Sequence, residues 1–272
     1  MGNYYSIITS AINDILAHGY DSPERVAHWV TKIKEGVEAK FEAPRTAGEK
    51  LRAGLASKFK SLVDQGRVLT RHPGVSKDTI ERVRPRLREE LLRRSSAATT
   101  LVSLNRKSAI DTALRRFTSW ATSIPLGGSH GQDRGEVRLS IQRPLAGLPF
   151  EDRRLSIDQG QKMAEMVSAI VAEEAGAIAA EWHSNWRQLG YDYREDHKNR
   201  DGKTYLIRDS WAIQAGLVKP KAPYTEDFES PTEWPFCRCH YRYLYKIEDL
   251  PEEFLSSKGK AALAEAGKQI GT

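Results

Sequence analysis

The chain is poor in sulfur, with 2 cysteines and 3 methionines among 272 residues. Two cysteines at Cys-x-Cys spacing make no disulfide framework, because residues two apart rarely reach disulfide geometry and small secreted scaffolds use more of them. Reduced thiols in a cytoplasmic setting are the expectation. Long apolar runs are also lacking. No stretch approaches the roughly 20 apolar residues that span a bilayer, so no membrane span is predicted. The opening residues lack a charged region followed by an apolar one, which predicts no secretory signal. Several catalytic signatures are missing too: there is no phosphate-cradling Gly-x-x-x-x-Gly-Lys loop, no His-Glu-x-x-His helix and no Gly-x-Ser-x-Gly elbow.

What is present is charge. Charged residues make up 29% of the chain, and the 39% that are hydrophobic still allow a packed core. The net charge of +6 is unevenly spread. From Arg45 to Arg116 there are 18 Lys and Arg against 7 Asp and Glu, whereas from Thr225 onward 6 face 9. The basic half contains Arg82, Arg84, Arg86, Arg88, Arg93 and Arg94 in close succession. Such a run either meets phosphate or an acidic partner surface, or forms solvated helix faces.

Helical periodicity dominates the first half. Tyr4, Ile8, Ile12 and Ile15 recur at helical spacing. Asp21-Ser22-Pro23-Glu24 is a helix start, with proline in the first turn, where its missing N–H costs little. Further helices are expected over about 47–65, 77–94 and 96–122, with Pro85 kinking or splitting the second. The apolar stripes are narrow, which suits an extended helical array or helices completed by a partner. Glycine and proline crowd residues 125–155, predicting a linker or loop with a short strand at Glu136–Gln142, where apolar and polar residues alternate. A long helix is predicted over 156–189. The reading so far is a mainly α protein: a basic helical region over 1–124, a Gly/Pro-rich linker over 125–155, a small α+β domain over 156–250 and a helical, partly frayed tail over 251–272.

Chemistry-bearing residues concentrate after Tyr191. Residues 191–197 alternate like a strand. Asp201-Gly202 is a turn signal, and Lys203 begins a returning strand. A proline-rich irregular stretch follows, then Pro235-Phe236-Cys237-Arg238-Cys239-His240, and a third strand near 241–246. Three readings of this group stand open. Two small thiols and a histidine would pack structurally, cysteine being among the most buried residue types. Alternatively His197, Cys237, Cys239 and His240 would supply the four soft ligands of a zinc site, although the spacing is not the usual knuckle. In the third reading Cys237, beside Arg238, would be a nucleophile activated by His197, as in an enzyme or toxin-like effector.

The order Arg194-x-x-His197, Asp201-Gly202-Lys203, Pro235-x-Cys237-Arg238-Cys239 resembles the C-terminal domain of the phage Mu F-like minor head proteins, the phage head-morphogenesis family. The resemblance covers about Gln159–Lys246. That family usually carries Pro-Asn before Cys-Arg-Cys, where this chain has Phe236. The resemblance implies a non-enzymatic minor structural protein of a tailed bacteriophage. It would be made in the host cytoplasm and carried in the virion, in the head interior near the portal protein. Its expected partners are the portal, the inner capsid surface and packaged double-stranded DNA, bound without sequence preference and in a salt-sensitive way. A non-specific DNA-binding protein centred on the basic half is the remaining alternative.

Overall fold

The computed structural model describes residues 4–41 and 44–270. The protein is mainly α, with one small antiparallel sheet in its C-terminal part. Among the described residues no helix is long and apolar enough to cross a membrane. The chain divides into two compact units, each built from two segments: Met1–Ala53 with Ser95–Ser156, and Gly54–Arg94 with Ile157–Thr272. Each unit thus draws on two separate stretches of the sequence.

In the first unit α1 (Tyr4–His18) buries the expected stripe of Tyr4, Ile8, Ile12 and Ile15. Helix α2 (Pro23–Lys40) starts as its sequence dictates: the Ser22 hydroxyl accepts the Arg25 N–H at 3.2 Å, and Pro23 occupies the first turn. Asp14 ties the two helices together by accepting from Arg25 at 2.8 Å and from the Trp29 indole at 2.7 Å. Val26, Ile33, Val37, Phe117, Ile141 and Leu145 complete this core. Residues 124–129 cover the end of α1: Gly127 and Ser129 donate to the carbonyls of His18 and Leu16, each at 3.0 Å. Gly128 sits at φ +92, and a Cβ there would lie 2.2 Å from the Leu16 carbonyl oxygen. The glycines expected to make a loose linker thus close a helix end.

The rest of the predicted linker is helical. Helix α5 (Arg134–Ala146) is capped by Asp133, whose carboxylate accepts the N–H groups of Gly135 and Glu136 at 2.7 and 3.2 Å. The predicted strand at 136–142 is therefore corrected. Ile141, Leu145 and Leu148 recur at i, i+4 and i+7 and are buried, while Leu139, which suggested alternation, is exposed. Helix α3 (Pro44–Phe59) ends in a π turn over Lys60–Asp64, close to the expected span. Helix α4 (Lys77–Ala121) runs 45 residues without the predicted break at Pro85 or near residue 95. Pro85 removes one hydrogen bond, but Ile80, Val83 and Leu87 are buried around it and hold the helical register.

The second unit carries the sheet. Helix α6 (Leu148–Glu174) covers only the first part of the predicted helix over 156–189. Gly176, at φ +68, ends it, and the N–H of Ala177 folds back to the Ala172 carbonyl at 3.0 Å. The following alanines, strong helix formers in isolation, enter the central strand β1 (Ala179–His183). β1 pairs antiparallel with β2 (Thr204–Leu206) on one side and β3 (His240–Leu244) on the other, in the order β2-β1-β3. Pairing on both edges overrides the local helix preference. Residues 191–197 do not form the predicted strand; they lead into the short helix α7 (Glu195–Asn199). The predicted hairpin around Gly202 is instead a turn from α7 into β2, whose partner is β1. One sheet face packs Ala180, Trp182, Tyr205, Tyr241 and Tyr243 against Ala172 and Ala177. The other packs Leu206 and Leu244 against Ala212, of helix α8 (Trp211–Gln214), and against Val218 and Leu255. A final helix α9 (Ser257–Ile270) matches the predicted tail, and the last two residues lie outside the described ones.

The turn at Gly202 has φ +75, and its N–H donates to the Trp182 carbonyl at 2.8 Å. Nothing lies within 4 Å of a Cβ built there, so a substitution is resisted by the backbone alone. Gly202→Ala is expected to destabilise the protein by about 1–2 kcal/mol, with Gly202→Val costing more, measured by urea denaturation. An unchanged midpoint would mean that the turn relaxes freely.

Candidate metal centre

The chain enters β3 through an irregular stretch in which Cys237 and Cys239, two apart on extended backbone, point to the same side. Helix α7 brings His197 to meet them. Its Nδ1 lies 3.4 Å from Cys237 Sγ and 3.5 Å from Cys239 Sγ, and all three side chains are buried. The three donor atoms lie within 4.8 Å of one another, an arrangement able to hold a metal ion. A neutral imidazole nitrogen has a single lone pair. Two thiols aimed at it cannot both donate to it, whereas one ion can be shared by all three.

The opposite ring nitrogen is also engaged. Nε2 of His197 lies 3.2 Å from Glu229 Oε1, which accepts from Arg200 Nη1 at 3.1 Å. Arg200 also donates to Asp196 at 3.2 Å. With Nε2–H donated to the Glu229 carboxylate, the Nδ1 lone pair is left facing the sulfurs, the arrangement usual behind a ligating histidine. The Trp182 indole meets the His197 ring edge-on, with centroids 5.2 Å apart.

The two thiols perturb each other. The neighbouring Cys239 thiol, aided by the N–H groups of Cys239 and Thr232 and by His197, outweighs burial and brings the Cys237 thiol down to about 5. The same neighbour effect, with burial, pushes the Cys239 thiol up. The site thus favours one thiolate, the form that binds metals.

The surrounding motif residues hold this stretch in place. Asp201 accepts the Ser184 N–H at 2.8 Å and the Trp186 indole N–H at 2.9 Å. Asn185 donates to the Arg238 carbonyl at 2.9 Å, and the Arg238 N–H donates to the Tyr191 hydroxyl at 3.1 Å. Asp158 on α6 accepts the Phe236 N–H at 2.7 Å. Arg194 precedes α7 and lies over the Trp234 ring, 5.2 Å from its centroid. The Lys203 carbonyl accepts the Trp182 N–H at 2.9 Å. Pro235 is exposed just before Phe236, which adopts φ +62, a left-handed conformation.

His240 is not part of the centre. It opens β3 and stacks on His183 with centroids 5.2 Å apart, and the group of donors able to hold a metal does not include it. The expected four-ligand set is therefore corrected to three. The basic run on α4 is charge-compensated. Arg82 pairs with Glu174, Arg84 with Glu81 and Asp64, Arg86 with Glu173, and Arg93 and Arg94 with Glu90. Arg88 makes no ion pair among the described residues. Glu229, Arg200 and Asp158 had no sequence signal, because lone charged residues in loops and helices look solvated until the fold places them.

A second buried polar group lies on the same unit. His72 bonds the Tyr245 hydroxyl through Nδ1 and the Ser168 hydroxyl, 2.8 Å away, through Nε2, and it stacks on Tyr243. Beside it Glu165 accepts from Arg71 and from the Tyr241 N–H, each at 3.0 Å. Burial, with the adjacent Arg71 charge, lowers the His72 pKa from 6.5 to about 4. Between these values the unfolded chain binds more protons than the folded one. This contribution to stability is complete above pH 6.5 and is lost as pH falls toward 4. Burial raises Glu165 from 4.5 to about 7, so its contribution runs the other way and is lost as pH rises through that window. His72→Gln is expected to remove an acid-side loss of roughly 2–3 kcal/mol. Glu165→Gln should remove the opposing slope. Urea denaturation between pH 4 and pH 7 separates the two, and an unchanged slope in either variant would contradict its assignment.

Compared with known proteins, the chain matches no family model, no curated protein and no solved structure.

Proposed function

We propose that the protein is a minor structural protein of a tailed bacteriophage head, associated with the portal, whose C-terminal unit is stabilised by zinc held by His197, Cys237 and Cys239. The observation that carries this reading is the convergence of three residues of the family-like motif on one buried point, His197 meeting Cys237 and Cys239 from 40 and 42 positions earlier. Zinc suits the donor set. Sulfur at about 2.3 Å and nitrogen at about 2.0 Å around a tetrahedral ion require N···S separations of about 3.5 Å, and the two here are 3.4 and 3.5 Å. With a fourth position left for another donor, the ion would fasten the loop before β3 to α7.

A second observation supports the resemblance. Phe236 occupies the position where the family carries asparagine, and its φ of +62 is a conformation that asparagine tolerates and bulky residues do not. Phe236→Asn is expected to raise stability by about 1 kcal/mol. An unchanged or lower stability would mean that Phe236 contributes packing worth more than the strain.

The portal or inner capsid surface is favoured over packaged DNA as the partner, because five of the six arginines in the basic run are already ion-paired. The test is quantitative mass spectrometry of purified particles, DNA-filled and emptied, together with their zinc content. A few copies retained in both kinds of particle support a portal-anchored role. Copies lost with the DNA place the protein among ejected components, and absence from both overturns the reading.

A further inference from the structure

A cleft of about 550 Å³ opens on the second unit between the end of α6, the sheet and α8, away from the candidate metal ligands. Its volume is within the range of pockets that hold a ligand. Ala172 and Ala177 give it a small-residue floor. Two of the residues that line it, Ser210 and Tyr241, carry hydroxyl oxygens that are sealed from solvent and have no hydrogen-bond partner among the described residues. Buried hydroxyls left unpaired cost free energy. Here both residues border a space that a ligand can enter.

The mouth of the cleft specifies what enters. Trp211 stands there half exposed. Asp209 and Glu226 stand beside it, exposed, and neither makes an ion pair among the described residues. Glu173, also on the rim, already holds Arg86 at 2.7 Å, so this edge accepts a guanidinium from the chain itself. An aromatic face, two free carboxylates and two hydroxyl acceptors match one side chain better than others. Arginine stacks its planar group on an indole and directs several N–H donors to separate acceptors, whereas lysine offers a compact point charge.

We propose that this cleft receives an arginine side chain of a partner polypeptide. The guanidinium lies against Trp211 and is neutralised by Asp209 and Glu226, and the Ser210 and Tyr241 hydroxyls turn to accept from it as it seats. The proposal is independent of the metal centre, since none of these side chains is a candidate ligand.

The test uses the full chain, titrated with N-acetyl-arginine methylamide and with the lysine and citrulline analogues, and followed by the Trp211 indole and Gly176 amide resonances. Arginine is expected to shift both saturably. Lysine should bind about fivefold more weakly, and citrulline, which keeps the shape without the charge, should not saturate. Asp209→Asn with Glu226→Gln should weaken arginine binding about tenfold, the loss expected when a charge-assisted contact goes, with the remaining spectrum unchanged. Ser210→Ala should weaken it without altering the preference for charge. Equal shifts with citrulline, no saturable shift with arginine up to its solubility limit, or binding indifferent to the carboxylate changes would each overturn the proposal.

Discussion

Cys239→Ser is expected to reduce zinc affinity by more than about a hundredfold, beyond the loss usual for an outer-shell change. The serine hydroxyl stays protonated near neutral pH and is a hard, weak ligand for an ion that prefers thiolate. Two protein ligands, Cys237 and His197, would remain. The substitution has a second effect that does not involve metal. Cys239 is only 2% exposed and packs among Trp182 and Tyr241. A hydroxyl there loses the thiol's contacts and gains a need for partners, at a cost of about 1–3 kcal/mol. The two effects separate in urea denaturation with and without a chelator. On the proposed zinc site the parent chain should lose stability on chelation, because an ion held only by the folded state stabilises that state. The variant should be less stable from the start and indifferent to the chelator. A variant that competes for zinc as well as its parent removes Cys239 from the site, and a parent indifferent to chelation removes the site itself.

Trp182→Ala has the largest expected effect on stability, a loss of about 3–5 kcal/mol. Trp182 is fully buried on the central strand. Its ring meets His197, Phe228 and Tyr241 edge-on at centroid distances of 5.2, 6.2 and 5.5 Å, and the Arg200 guanidinium lies over it at 5.2 Å. Removing the indole leaves a cavity whose walls belong to all three strands and to the loop before β3, so collapse cannot fill it cheaply. It also frees the face on which His197 rests, and metal affinity should fall with stability. Trp182→Phe, which keeps an aromatic edge, should recover much of both. Hydrogen exchange at the β1 amides reads the effect locally. Exchange no faster than in the parent would mean that the sheet does not depend on this side chain.

The two predictions differ in how far sequence anticipated them. The order of His197, Gly202 and Cys237-Arg238-Cys239 was legible, and so were Gly202 as a turn residue and the grouping of histidine with both thiols. Glu229 was not, because a carboxylate in an irregular loop has no periodicity to betray its partner. His240 was grouped with the thiols by adjacency alone, whereas the fold sets it against His183 at the start of β3. The place of Trp182 on a strand was missed because the alanines before it read as helix.

Sequence by itself determined the mainly α class, the stripe of Tyr4, Ile8, Ile12 and Ile15, the start of α2 at Ser22 and Pro23, and the tail helix. Each is set by contacts within a few residues: a side-chain cap, a fixed φ, or a hydrophobic repeat. Only the tertiary structure decided that 175–189 leaves the helix for a central strand, that 134–146 is a helix rather than a linker, and that α4 passes through Pro85. In these segments local preferences were weak or opposed, and burial against residues distant in sequence settled the outcome. The candidate metal centre belongs to both levels. Its histidine and two cysteines are written in the chain, but the point at which they meet, the absence of His240 from it and the Glu229 carboxylate behind His197 come from strand pairing and loop packing, which no local pattern encodes.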